Sequence, residues 1–339
     1  MQHAEKQITT PVQLCDKKGN LNPEAIGYAK SPIVDCNLSG HFMRKKKWNH
    51  WTVYGEDIIL SATVSHLDYA AICSVFFLEY ETERYFEKTV TLPIVANLKM
   101  PTKVKESVYF KGKDLKIELN YIHGATYLTI TCDDFEGELL HAELIIHHPT
   151  SDESLNVVVP WNSKIFHFTS KQHTLPTSGV VKVGLTHYRF KEDECFAVHD
   201  FGRGVLPREM ARTWGMASQL IRGKRVGLNL GGYWTDGTGM TENAIFIDGK
   251  MTKIHEDLIF TFNKANDKKP WLIHTKFSQD LKLSFTPFFE CANQTDLKLV
   301  KTRTKQFVGY FNGYITLHDG SRLAIQQMLG TIEEHIAKW

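Results

Sequence analysis

Short segments rich in β-branched and aromatic residues recur along the whole chain, and they constrain the fold more than any other feature. Ile58 to Val64 and Leu139 to Ile146 are examples, and such segments end at Gly, Pro, Asp or Asn. Asp248-Gly249 and Asp319-Gly320 supply residues that tolerate the positive φ of tight hairpin turns. The pattern predicts antiparallel strands joined by hairpins.

Two segments do not follow this strand pattern. Glu209 to Leu220 follows Pro207, and Met328 to Ile336 places apolar residues at helical spacing. We expect short helices there. No alternation of strands with helices and no glycine-rich phosphate loop is present, which disfavours doubly wound nucleotide-binding folds.

The 339 residues suit two modules, which we place at residues 1–160 and 161–339 because each half carries its own set of strands. Closing each set into a barrel removes exposed sheet edges and leaves a lumen for one small molecule. An all-β chain of two tandem antiparallel barrels is therefore predicted. A pair of β-sandwiches remains the alternative, since periodicity does not separate the two.

Net charge, cysteine spacing and hydropathy limit the partners, the redox state and the location that the sequence predicts. A net charge of +2 gives no strong long-range field, so neither nucleic acid nor an anionic membrane surface is expected as a partner. The six cysteines form no CxxC pair and are expected to be reduced and mostly buried. Neither an apolar leader nor a run long enough to span a bilayer occurs, so a cytoplasmic location is expected, and no metal or cofactor motif is found.

The densest candidate site begins at His199-Asp200 and continues through a glycine-containing segment that we interpret as a turn at a strand end. Neighbouring arginines would keep Asp200 ionised, whereas enclosure by aromatic rings would raise its pKa and let it donate a proton. A salt-bridge cluster that only clamps the turn is the equal alternative. The candidate residues are His199, Asp200, Arg203, Arg208, Arg212 and Trp214.

A second candidate site is a long polar segment between two strands, from Asn229 to Asn243. It contains more residues than a hairpin needs, which is more typical of a functional loop than of a plain connection. It could bind polar ligand groups or a hard cation, or it could be a turn network that satisfies its own backbone. Its candidate residues are Asn229, Trp234, Thr235, Asp236, Thr241, Glu242 and Asn243.

Two further patterns have simpler interpretations. The basic and aromatic run from Arg44 to Trp51 is expected to begin a strand, with lysines in solvent and tryptophans inside. His147 and His148 are expected to be surface residues at a strand end, because no third metal ligand lies at useful spacing.

A set of long polar motifs in fixed order resembles the domain-of-unknown-function 2804 family. That family is more distantly similar to a calycin-like group of paired lipocalin barrels that includes carotenoid hydratases, tocopherol cyclases and bacterial AttH-like proteins. The motifs include Lys46-Lys47-Trp48-Asn49-His50-Trp51, His199-Asp200-Phe201-Gly202-Arg203-Gly204, Gly227-Leu228-Asn229-Leu230-Gly231-Gly232, Thr235-Asp236-Gly237-Thr238-Gly239 and Glu333-Glu334-His335.

The resemblance implies two lipocalin-like barrels with a pocket near their junction. In the hydratases and cyclases, a carboxylic acid protonates a double bond or an epoxide-like centre. Transferred here, Asp200 is the leading acid and Trp214 or Trp234 the aromatic face that stabilises a cation.

We therefore expect a small amphiphilic or anionic ligand at the barrel junction. One hypothesis is a non-redox enzyme, a hydratase, cyclase, isomerase or lyase, with Asp200 and Glu242 as the proton-transfer pair. Arg203, Arg208 and Arg212 would then bind an anionic end of the ligand. The alternative is a carrier or sensor that binds a lipid-like ligand without changing it.

Overall fold

The computed structural model describes residues 4–93, 98–296, 301–317 and 319–338. These residues form two large, curled antiparallel sheets and one small parallel pair, β1 (Val12–Gln13) with β3 (Val34–Asp35). Within the described ranges, the one helical element is a 3-10 turn at Pro23–Ala25. No helix in those ranges has the length and apolar character needed to cross a membrane.

The first sheet has thirteen strands and takes up most of the chain before residue 206. Its main order is β7-β6-β5-β4-β15-β13-β11-β10-β9-β8, with β12 and β14 also paired to β13 and β2 paired to β12. Its strands are β2 (Gly27–Ala29), β4 (Lys45–Tyr54), β5 (Ile58–His66), β6 (Ala71–Glu79), β7 (Tyr85–Leu92), β8 (Val108–Lys111), β9 (Leu115–Ile122), β10 (Ala125–Phe135), β11 (Glu138–His147), β12 (Leu155–Pro160), β13 (Phe166–Val183), β14 (Thr186–Phe190) and β15 (Phe196–Val205).

The second sheet has nine strands in the order β19-β18-β17-β16-β24-β23-β22-β21-β20. They are joined mainly by hairpins, and β16 pairs with β24 from Glu209 with Lys338 to Ala217 with Gly330. The strands are β16 (Glu209–Ile221), β17 (Lys224–Gly232), β18 (Ala244–Ile247), β19 (Lys250–Lys253), β20 (Leu258–Thr261), β21 (Trp271–Thr275), β22 (Leu281–Asp296), β23 (Lys301–Thr316) and β24 (Arg322–Lys338).

Each sheet curls around its own apolar core. In the first sheet, β13 pairs with β15 from Phe166 to Pro176, with a register shift between Gln172 and Leu175, and its residues from Thr177 onward pair with β11. Strand β7, at one end of that sheet, returns toward β10, where the rings of Phe86 and Phe135 lie 5.5 Å apart. A separate core around Trp271 fills the concave side of the second sheet. The predicted all-β, tandem lipocalin-like fold is confirmed.

The two predicted helices are wrong. Glu209 to Leu220 lies within β16 and Met328 to Ile336 lies within β24. Both strands have one face on the second core and the other toward the first sheet: Ala217 packs inside the second core, whereas Trp214 and Met216 pack against strands of the first sheet. Burial on both faces removes the strict alternation that identifies a strand in a sequence.

The sheets pack through their convex faces. The Tyr54 hydroxyl of β4 donates a hydrogen bond of 3.2 Å to the carbonyl of Met216 in β16. The chain passes from one sheet to the other between Val205 and Glu209, and strands β13 to β15 belong to the first sheet. The division of the chain at residue 160 stays a prediction, and sheet membership favours placing it at 206–208.

Candidate functional site

A cavity of about 260 Å³ lies between the facing surfaces of the two sheets. Strands β4 to β7 and β15 line it from the first sheet, and β16 and β22 to β24 line it from the second. Its volume is near the lower limit for small-molecule sites, about 300 Å³. Part of the lining consists of charged and aromatic side chains: Trp48, His50, Asp200, Arg212, Trp214, Glu333 and His335.

The His199-to-Gly204 motif lies within a continuous, fully buried strand, so its interpretation as a turn is wrong. Because side chains alternate along a strand, Asp200 and Gly202 face the cavity side of β15 together. Gly202 pairs with Trp48 in β4, and a Cβ at position 202 would lie 2.1 Å from the indole atom Cε2. The glycine therefore makes room for the Trp48 ring beside Asp200.

Asp200 is almost completely buried, with 1% of its surface exposed. Its carboxylate accepts hydrogen bonds from the Trp48 indole and the Thr169 hydroxyl, both at 3.0 Å. Lys171 Nζ lies 3.0 Å from Asp200 Oδ2, and Arg212 Nη1 lies 3.9 Å from the same oxygen. Burial raises the pKa of Asp200, but Lys171 and Arg212 outweigh it and hold the pKa below its ordinary value.

Lys171 joins the two segments singled out in the sequence. Its ammonium lies 3.0 Å from Asp200 and 3.2 Å from Glu242 Oε2, and all three side chains are buried. It also lies 3.9 Å from the centre of the Trp214 ring, within the range of a cation–π contact. The other carboxylate oxygen of Glu242 accepts a 2.5 Å hydrogen bond from the Trp234 indole. Asp200 and Glu242 thus share one buried cation.

The second sheet makes room for Glu242 as the first does for Trp48. Gly231 pairs with Trp214 across β16 and β17, and a Cβ at position 231 would lie 2.4 Å from Glu242 Cγ. Asn229 supports the same arrangement, because its side-chain oxygen accepts a 2.9 Å hydrogen bond from the Trp214 indole and its amide donates to the carbonyl of Glu242. Glycines on both sheets therefore create the space that the Trp48 ring and the Glu242 side chain occupy.

Arg212 extends the charge network across the cavity. Its guanidinium lies 2.6 Å from Glu333 Oε1 in β24. Burial raises the pKa of Glu333, but the adjacent Arg212 guanidinium outweighs burial, and the net shift is downward. We refer to Lys171, Asp200, Arg212, Glu242 and Glu333 as the ionic cluster.

Two histidines line the cavity beside this cluster. The His50 ring nitrogens lie 2.7 Å from the Thr63 hydroxyl and 2.8 Å from the Thr52 hydroxyl. His335 Nδ1 lies 2.8 Å from the Thr304 hydroxyl. Burial lowers the pKa of both histidines, so both are neutral imidazoles near pH 7.

The remaining candidates of the polar segment maintain its local structure. Asn243 accepts a 2.6 Å hydrogen bond from the Gly231 amide, and the Thr241 hydroxyl donates to the carbonyl of Ile254 at 2.7 Å. Thr235 is buried, whereas Asp236 is exposed and accepts a hydrogen bond from the backbone of the same loop. These side chains lie in the loop network rather than in the cavity lining.

His199, Arg203 and Arg208 lie away from Asp200. His199 and Arg203 point to the opposite face of β15, where His199 stacks on Trp51 at 4.0 Å and Arg203 donates to the carbonyl of Trp48 at 2.6 Å. Arg208 is exposed on the connection between the sheets. Of the candidate arginines, Arg212 alone lines the cavity.

The smaller sequence patterns also need correction. Lys46 is buried rather than solvated, and its ammonium donates to the carbonyl of Leu67 at 3.2 Å. His148 is buried and hydrogen-bonds Thr126 at 2.8 Å and Gln172 at 3.1 Å. Within the part of the chain that the structure describes, no group of three or more His, Cys, Asp or Glu side chains is arranged to hold a metal ion.

Sequence reasoning did not select several residues of the site. Lys171 lies in β13, a long strand with few glycines and no motif, and no local signal marks it. In the sequence, Trp48 and His50 belong to a basic and aromatic run, and Glu333 and His335 belong to a motif that resembles the family. In each case the residue acts through a partner on another strand, which spacing along the chain does not reveal.

The profile of the family described as "Domain of unknown function (DUF2804)" matches residues 5–339. The chain belongs to the DUF2804 family. No curated protein matches the DUF2804 chain.

Solved structures resemble this DUF2804 protein in fold. An AttH-like protein from Nitrosomonas europaea is 10% identical, with a TM-score of 0.50 over 87% of this chain and 93% of the other. Kievitone hydratase from Nectria haematococca is 9% identical, with a TM-score of 0.44 over 89% of this chain and 90% of the other. The first likeness supports the shared fold.

Proposed function

We propose that this DUF2804 protein binds a small amphiphilic molecule in the cavity between its two sheets. The observation that carries the proposal is the cavity itself, whose lining combines Asp200, Arg212 and Glu333 of the ionic cluster with apolar side chains such as Phe76 and Met210. A concave, largely pre-formed site with a few polar groups is the usual form of a small-molecule site. The fold is compatible with ligand binding and with catalysis.

The ligand need not be anionic. Arg203 and Arg208 lie outside the cavity, and Arg212 is already paired with Glu333 at 2.6 Å. An anionic group would have to displace a carboxylate of the protein to reach that guanidinium. The pairing of Arg212 with Glu333 therefore supports an amphiphilic ligand rather than an anionic one.

Binding is testable with N-phenyl-1-naphthylamine, an uncharged fluorescent amphiphile. Wild-type protein should bind it at one site, and Ser74→Trp, which fills the cavity from β6, should abolish binding. Thr261→Trp, on the exposed face of β20, is the control that adds the same indole elsewhere. Equal binding by wild type and Ser74→Trp would contradict the proposal.

Non-redox acid–base catalysis is a second candidate, favoured by the neutral His50 and the ionised Asp200, which line the same cavity. A carboxyl group with a lowered pKa is a poor proton donor near neutral pH, so in this scheme Asp200 stabilises positive charge and a histidine moves the proton. A carrier would leave its ligand unchanged.

Solvent deuterium separates catalysis from transport. Ligand that co-purifies with the protein is identified by native mass spectrometry and then incubated with the protein in heavy water. Hydration, or isomerisation by proton transfer, would place deuterium on carbon, and Asp200→Asn should abolish the mass increase. Recovery of unlabelled ligand from the wild type would favour the carrier.

A further inference from the structure

Away from the ionic cluster, the cavity walls are built largely from hydroxyl and amide side chains. Both sheets contribute them, so that two polar surfaces face each other across the cavity. These residues are Ser61, Thr63 and Ser65 of β5, Ser74 of β6, Thr89 of β7, Asn293 of β22, and Thr302, Thr304 and Gln306 of β23.

The strand registers make each polar wall continuous. Thr63 pairs with Ser74 across β5 and β6, and Ser74 pairs with Thr89 across β6 and β7. On the second sheet, Thr304 pairs with Asn293 across β22 and β23. Directly paired residues of neighbouring strands lie on the same face of a sheet, so these side chains form ladders rather than scattered positions.

Part of this hydrogen-bonding capacity is unused. Thr63 and Thr304 bind His50 and His335, and the side chains of Ser61, Thr89 and Asn293 also have partners, but four other side chains make no hydrogen bond to any residue in the described ranges. Those side chains are Ser65, Ser74, Thr302 and Gln306. They offer donors and acceptors on both walls that an occupant of the cavity could satisfy.

The charges that line the cavity are already engaged within the protein. Arg212 lies 2.6 Å from Glu333, and Lys46 donates to the carbonyl of Leu67. Glu87 accepts a 2.6 Å hydrogen bond from the Asn293 amide. The donors and acceptors without a partner are therefore uncharged hydroxyl and amide groups. They favour hydroxyl groups of a ligand over phosphate, carboxylate or ammonium groups.

We infer that the ligand carries an uncharged head group rich in hydroxyls, held between the walls of β5–β6 and β23, with its apolar part against Phe76 and Ile72. This inference rests on the proposed function, since it names the chemical class that the same cavity takes.

The test compares three molecules with the same hexyl tail: hexyl β-glucoside, hexyl phosphate and hexyltrimethylammonium. Dissociation constants are measured by quenching of tryptophan fluorescence, because Trp48 and Trp214 line the cavity. The glucoside should bind at least tenfold more tightly than either charged molecule. The double variant Ser74→Ala/Thr302→Val should weaken glucoside binding about tenfold, as expected for two lost neutral hydrogen bonds, and Thr261→Val is the matched control.

The outcomes are distinguishable. Binding of all three molecules with equal affinity, or tighter binding of a charged one, overturns the hydroxyl-rich head group and leaves the ligand-binding proposal intact. Unchanged glucoside affinity in the double variant also overturns it. Failure of all three to bind contradicts the ligand-binding proposal, and the inference falls with it.

Discussion

Lys171 Nζ lies 3.0 Å from Asp200 Oδ2, and these residues occupy directly paired positions on β13 and β15. Both side chains are buried, so the ammonium is the principal compensation for a carboxylate that has almost no access to water. The same ammonium lies 3.2 Å from Glu242, which connects the first sheet to the polar loop of the second. The stability of the sheet junction should therefore depend on one lysine.

Lys171→Met should lower the free energy of unfolding by about 3–5 kcal/mol, because it leaves buried carboxylates without their cation. Urea unfolding followed by circular dichroism measures the effect. Lys338→Met is the control, since Lys338 forms an exposed pair with Glu209 and should matter little. A Lys171→Met protein as stable as wild type would show that the buried ion pairs do not hold the junction.

Gly202→Ala should destabilise the protein by about 1–3 kcal/mol through overpacking, because its Cβ would lie 2.1 Å from the Trp48 ring. Gly215→Ala in β16 is the matched control, since there the nearest atom to the new Cβ lies 3.5 Å away. Urea unfolding followed by circular dichroism compares the two. Equal stability of both variants would contradict the close fit of Trp48 against β15.

Stability should fall as the solution is acidified, in part because of His167. This histidine is completely buried, and within the described ranges neither ring nitrogen has a hydrogen-bond partner. Burial lowers its pKa from 6.5 to about 3. Between those values the unfolded chain binds a proton that the folded protein does not, so the stabilising contribution is present above pH 6.5 and is lost as pH falls toward 3.

His167→Phe tests this pH dependence. The variant should reduce the slope of unfolding free energy between pH 4 and 6 by about 1.4 kcal/mol per pH unit. His187→Phe, at an exposed position on β14, is the control. A slope that does not change in His167→Phe would mean that the histidine is protonated in the folded state.

Cys291 should be the first thiol to react with a small uncharged reagent. It is the one cysteine of the six that is not fully buried, and it lines the cavity. Burial raises its pKa to about 12, so the reaction should be slow at pH 7 and should accelerate with rising pH. Peptide mass spectrometry after treatment with methyl methanethiosulfonate locates the modification, and earlier labelling of Cys73 or Cys195 would be inconsistent with the structure.

The sequence predicted the fold class well because most strands have one face on a core and keep their alternation. It failed for β16 and β24, where Trp214 and Ala217 are both buried but face different layers. Apolar residues on both faces of a strand break its alternation and can fall at the spacing of a helix.

The site was predicted in part. Asp200 and Glu242 were selected from separate segments, and Lys171 brings them together. Arg203 was included because a turn would have aimed neighbouring side chains inward, whereas in a strand Asp200 and Arg203 point to opposite faces. Contacts such as Lys171 with Asp200 depend on strand pairing, which the sequence of either segment alone does not specify.

A crystal structure of the protein grown with hexyl β-glucoside would test the central proposal most directly. We predict electron density for one molecule between β5–β6 and β23, with its hydroxyls within hydrogen-bonding distance of Ser74 and Thr302. Density inside either barrel core instead, with the cavity between the sheets holding only water, would contradict it.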